Sequence, residues 1–135
     1  MPPLSRWYIK TSLLYLAISL LTGVFLSSGI GDSLVALRFS VTHLFVVGWL
    51  TQLIFGVAFW LFPRHSREQP YGDTRAALAS YPLLNLGLLL RLLAEPALAA
   101  STLPVWSWLL VLAAVFQWLG AVAYAAYIWR RVKVK

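Results

Sequence analysis

Two histidines, four acidic residues and no cysteine limit the chemistry open to this chain. His43 stands near the start of an unbroken apolar run, Val41-Thr42-His43-Leu44-Phe45-Val46-Val47-Gly48-Trp49-Leu50. An imidazole in lipid is costly and needs a hydrogen-bond partner, a proton path or a metal. If that run begins at Val35, His43 is about 12 Å below the surface, and His65 is roughly 33 Å further along, in a polar loop. The two cannot share a metal within one chain. Met1 is on the wrong side and no thiolate exists, so a closed zinc site has no support. Haem asks for less, because the macrocycle supplies the in-plane nitrogens and the protein only one or two axial groups. A two-fold dimer would present His43 twice. Haem propionates would seek cations at that level, where Arg38 and Arg91 are the only arginines. Arg38 falls off the helical face that carries His43 and would have to reach around.

The elements that position His43 follow from composition. The chain has 135 residues, 61% hydrophobic and 11% charged, far from soluble globular usage. Apolar stretches over residues 8–30, 35–62, 74–100 and 103–129 each have the roughly 20 residues needed to cross a bilayer core. The expected fold is therefore all-α, an integral membrane four-helix bundle forming a single domain over residues 1–135. Gly29 to Ser33 form a turn cluster, with Asp32 or Ser33 as an N-cap, and Pro63 to Asp73 form a polar loop. No cleavable signal peptide is expected, since the first span is long and no small-residue cleavage site leads into a soluble domain.

The net charge of +7 belongs to span ends rather than to a nucleic-acid site. Arg6, Lys10, Arg64, Arg67, Arg75, Arg130, Arg131, Lys133 and Lys135 fall on one side. Both termini and the central loop are therefore expected to be cytoplasmic, in a multi-pass protein of the inner membrane. Trp7, Tyr8, Trp60, Trp106, Trp108 and Trp129 lie where an aromatic belt should. The central-loop His65, with Arg64, Arg67 and Glu68, reads as solvated loop.

Packing in lipid favours small residues and interhelical polar contacts. Ser12, Ser19, Gly23 and Ser27 share a stripe of the first helix, with Tyr15 and Thr22 beside it. Gly48, Gln52 and Gly56 share one in the second, and Ala113, Gln117, Gly120 and Tyr124 one in the fourth. At about 100° per residue, Gln52 falls nearly opposite His43. With the glycine face turned inward, His43 should face out of its own bundle beside Phe39 and Val47, toward a cofactor or a second copy. Pro82 is expected to free a carbonyl in the third helix that Asn85 or water satisfies. Arg91 is expected near the outer surface, either paired with Glu95 at i+4 or contacting an anion.

The segment from His43 through Gly48, Trp49, Gln52, Gly56, Trp60 and Pro63 to Arg64 resembles the second transmembrane helix of haem–copper oxidase subunit I. It is most similar to the form in cbb3-type oxidases and nitric oxide reductases. Asn85 to Arg91, with Glu95-Pro96, resembles the following part of a short subunit-I-like family. The resemblance covers about half the chain and implies haem b at His43, as a low-spin axial ligand near the outer surface. Four spans replace twelve, and the histidines for copper and the high-spin haem are missing. So is the second low-spin ligand. Oxygen or nitric oxide reduction by this chain alone is not expected, and a six-coordinate haem would take its other ligand from another chain. The leading expectation is a homodimeric haem b membrane protein acting in electron transfer or in redox or gas sensing, with a possible respiratory-chain partner. The alternative is a cofactor-free accessory or assembly subunit of a respiratory oxidase, with His43 hydrogen-bonded across an interface. A transporter or channel is weaker, because the spans lack clustered acids.

Overall fold

The computed structural model describes residues 1–28, 37–62 and 70–132. The turn with Asp32, the loop with Arg64, His65, Arg67 and Glu68, and Lys133 and Lys135 lie outside the described residues. The described residues form four helices: α1 (Pro3–Ser27), α2 (Leu37–Leu61), α3 (Arg75–Ala100) and α4 (Pro104–Val132). Each is long and apolar enough to cross a membrane. Only 17% to 28% of each helix's most apolar stretch is buried within the chain, so the bundle presents apolar side chains on its outside. A surface of this kind suits lipid as solvent and is far larger than the apolar patches of soluble monomers.

The helix ends follow local chemistry. α1 starts at Pro3 rather than near Tyr8, because proline is tolerated at the first helical position, where the missing N–H would be unsatisfied anyway. α2 stops at Leu61, with Phe62 extended (φ −63°, ψ 150°), as the residue before a proline prefers. The backbone N–H of Arg75 donates to Asp73 Oδ1 at 3.1 Å at the start of α3. α3 then runs through both Pro82 and Pro96. Asn85 Nδ2 donates to the carbonyl of Tyr81, the residue before Pro82, at 2.8 Å. α4 opens on Pro104 and extends to Val132, three residues past the expected end at 129.

The helices pack as two antiparallel pairs, α1 with α2 and α3 with α4. The small residues predicted as packing stripes make both interfaces. A Cβ at Gly56 would lie 2.9 Å from Tyr8 Cβ, and one at Gly48 2.8 Å from Tyr15 Cγ. A Cβ at Gly87 would meet the Ala113 carbonyl oxygen at 2.7 Å, and Gly120 packs on Leu84. In α1 the stripe stops working beyond Ser19: nothing among the described residues lies within 4 Å of a Cβ built at Gly23. There α1 and α2 leave a groove of about 770 Å³, lined by Ser19, Gly23, Ser27, Thr42 and Phe45 among others.

Polar side chains join the two pairs. Tyr8 donates to Ser80 Oγ at 2.9 Å, Thr11 bonds the Tyr81 hydroxyl at 2.6 Å, and Tyr15 donates to Asn85 Oδ1 at 2.9 Å. Gln52 and Asn85 exchange amide bonds at 3.3 Å, and Tyr124 donates to the Phe55 carbonyl. Tyr8 is therefore fully buried in the core and not part of an interfacial belt. Trp7, Trp60, Trp108 and Trp129 are exposed near helix ends, as an aromatic belt requires. At the end shared by both termini, Arg131 is 2% exposed and donates to the Phe59 and Phe62 carbonyls, capping α2. The rings of Phe59, Tyr71 and Tyr127 surround its guanidinium at 5.6–5.8 Å.

Gly87→Ala drives a methyl into a backbone carbonyl that cannot rotate away, an overpacking cost of about 1–3 kcal/mol. Thermal unfolding in detergent, followed by circular dichroism, should show a lowered midpoint for Gly87→Ala. Gly23→Ala, which meets open space, should unfold at or above the wild-type midpoint.

Candidate functional site

α2 is not uniform. Residues Leu37–His43 are α-helical, Leu44–Thr51 form a π-helical segment, and Gln52–Leu61 are α-helical again. Thr51 Oγ1 donates to the Val46 carbonyl, five residues back, at 2.9 Å. A π-helix takes more residues per turn than an α-helix, and such segments recur at functional sites. The widening starts at the residue after His43 and changes the rotation between His43 and Gln52. A regular helix places those two side chains on opposite sides. In the structure both reach α3, Gln52 at Asn85 and His43 near Glu95. His43 is thus not simply turned out of its bundle; its side chain is 31% exposed at the α2–α3 edge.

The imidazole is held from its own helix. Nδ1 lies 2.9 Å from the Phe39 carbonyl oxygen, one turn back. A carbonyl only accepts, so Nδ1 carries the hydrogen of this bond and Nε2 takes no part in it. Glu95 Oε1 is 3.7 Å from the same Nδ1, at ion-pair rather than hydrogen-bond distance. The carboxylate, 9% exposed, is fixed on both oxygens: Ser40 Oγ donates to Oε2 at 2.5 Å and Arg91 Nη1 to Oε1 at 3.0 Å. The i+4 pairing of Arg91 with Glu95 is therefore present. Arg91 Nε is buried with no hydrogen-bond partner among the described residues.

His43, Arg91 and Glu95 line one groove with Phe39, Leu98, Ala99 and Leu110, a cavity of about 530 Å³ with a mostly apolar wall. This is within the size range of small-ligand sites, and a few convergent polar groups on an apolar wall are their usual form. The larger groove between α1 and α2 has hydroxyls but no titratable side chain. Arg38 is exposed and outside the His43 groove. Of the three residues predicted for the site, the fold brings His43 and Arg91 together and leaves Arg38 apart. Among the described residues, no three His, Asp or Glu side chains gather to hold a metal ion.

Sequence reasoning missed Ser40 and the approach of Glu95 to His43. A depth count held the signal. By rise per residue, His43 is about 12 Å from the start of the second apolar run at Val35 and Glu95 about 8 Å from the end of the third at Ala100, so antiparallel neighbours put them within about a turn of each other. No family model, curated protein or solved structure matches the chain.

Arg91→Met leaves the Glu95 carboxylate without its counter-charge, and removing one partner of a buried pair costs about 3–5 kcal/mol. The double variant Arg91→Met/Glu95→Gln should recover most of that loss. Thermal midpoints of the two variants in the same detergent check this.

Proposed function

We propose that this chain is a haem b-binding membrane protein in which His43 Nε2 is the axial ligand, acting as a homodimer in electron transfer or in redox or gas sensing. The observation that carries the reading is the hydrogen bond that His43 Nδ1 makes to the Phe39 carbonyl. With Nδ1–H given to the Phe39 carbonyl, the ring of His43 is pre-oriented at the groove it lines and Nε2 is left outside that bond. Ligating histidines are characteristically fixed in this way by a partner on the other ring nitrogen.

The residues present fit the group. A haem is a flat apolar macrocycle with one open ligand requirement per face, and the groove supplies an imidazole among Phe39, Leu98, Ala99 and Leu110. When bound, haem supplies a one-electron iron couple. The chain's own part is to ligate through His43, to exclude water with the apolar wall, and to hold Arg91 near the anionic edge. Arg91 has one nitrogen on Glu95 and a second, Nε, without a partner among the described residues. Arg38, exposed on the same helix as His43 but outside its groove, would meet a propionate only where that group leaves the groove.

The partial exposure of His43 leaves room for a second copy, whose own His43 would fill the sixth position across a two-fold axis. Arg6, Lys10, Arg75, Arg130 and Arg131 collect at the end that holds both termini. By the positive-inside rule that end is cytoplasmic, and the His43 groove lies toward the outer face of the inner membrane. A redox partner in a respiratory chain suits that placement.

The test is the visible spectrum of the detergent-purified protein expressed with ample haem. A Soret band with a sharp reduced α-band is expected, lost in His43→Ala. A colourless wild type would favour the cofactor-free accessory subunit, and a full haem complement in His43→Ala would remove His43 as ligand.

A further inference from the structure

We infer that Glu95 is a positioning residue for His43, a carboxylate set on the Nδ1 side of the axial imidazole that governs how strongly Nε2 donates. The inference rests on the haem reading above and goes one shell beyond it. Three features of the geometry carry it. First, the Glu95 side chain is 9% exposed, in a helix otherwise rich in leucine and alanine, and such an acid is costly in lipid without a role or a partner. Second, its position is over-determined: Ser40 fixes Oε2, Arg91 fixes Oε1, and Oε1 is the oxygen that faces His43. Third, Nδ1–H already points at an acceptor, so the negative charge 3.7 Å from Nδ1 acts on a proton-bearing nitrogen.

The Nδ1 hydrogen is given to the Phe39 carbonyl, and the Glu95 charge 3.7 Å from Nδ1 polarises that N–H through space, which makes the ring a stronger donor at Nε2. Stronger donation and nearby negative charge both stabilise the more positive, oxidised metal. Glu95 therefore holds the haem midpoint potential down. Arg91 opposes it, because its guanidinium shares Oε1 with His43 and withdraws charge from it. Ser40 acts in the same sense from Oε2. The three side chains form a tuning set on two helices. Ser40 and His43 ride on α2, while Glu95 and Arg91 are one turn apart on α3.

The experiment is a redox titration of the haem-loaded, full-length protein with low-spin ferric EPR of the same samples. Glu95→Gln is expected to raise the midpoint and shift the g-values toward those of a more weakly donating imidazole. Arg91→Met and Ser40→Ala should each lower the midpoint. In the double variant Glu95→Gln/Arg91→Met the two charges are both gone, and the midpoint should stay above wild type because the pull on Nδ1–H is lost. A double variant that returns to the wild-type midpoint would reduce Glu95 to a counter-charge and overturn the inference. Unchanged g-values in Glu95→Gln would do the same. If Glu95→Gln fails to fold, Ser40→Ala decides alone: a midpoint that rises or stays put overturns it. A wild type that binds no haem instead removes the haem reading itself, which is a different result from haem-loaded variants that do not shift.

Discussion

The hydrogen bonds that join the two helix pairs carry the architecture. Each pair closes on its own through small residues, α1 on α2 at Gly48 and Gly56, α3 on α4 at Gly87 and Gly120. Between the pairs there is little close backbone approach. Tyr8, Thr11, Tyr15 and Gln52 instead reach across to Ser80, Tyr81 and Asn85. In lipid these bonds matter because burying apolar surface between helices brings no advantage over lipid contact. His43 belongs to one pair and Glu95 to the other, so the distance between imidazole and carboxylate is set by this polar seam. Ser40 on Glu95 is its last link at one end, and Arg131 on the Phe59 and Phe62 carbonyls its last link at the other.

Much of this was legible in the sequence. Four apolar runs separated by turn and charge clusters become four helices because length and hydropathy are additive signals that tertiary context seldom overrides. The glycine and alanine stripes of α2 and α4 also appear where they were read, since a close helix contact leaves no room for a larger residue. Tyr8 was misplaced because a tyrosine near a helix end suits a membrane interface and a buried bond equally, and only the position of Ser80 decides. Gly23 and Ser27 continue the α1 stripe in sequence, yet no neighbour among the described residues meets Gly23. A stripe records what can pack closely and does not say that a neighbour is there.

The site itself was half legible. His43 announced itself by cost, and Arg91 with Glu95 by spacing. Their meeting was hidden because a helical wheel assumes one rotation per residue, and Leu44–Thr51 does not obey it. The π-helical segment brings both His43 and Gln52 against α3, which a regular helix would do for only one of them. No residue in Leu44-Phe45-Val46-Val47-Gly48-Trp49-Leu50-Thr51 marks this in advance. The widening is accommodated locally by Thr51, whose hydroxyl returns to the Val46 carbonyl.

The polar seam and the His43 groove are separate in one respect that bears on function. Between the Asn85 layer and Glu95 lies an apolar layer of Leu44 and Leu88, with Tyr15 packed beneath and Leu92 against it. Leu44 and Leu88 are almost fully buried. Tyr15 spends its hydroxyl on Asn85, on the far side of that layer from Glu95. A proton relay needs an unbroken run of donors and acceptors, and among the described residues the run from Tyr8 to Asn85 ends at this plug. The hydroxyls and amides below it hold the two helix pairs together. Above it, the Ser40–Glu95–Arg91 set is connected to His43 and opens sideways into its own groove. That arrangement is the one a group held at one level and addressed from one side would require, which is what the proposed haem site asks of it.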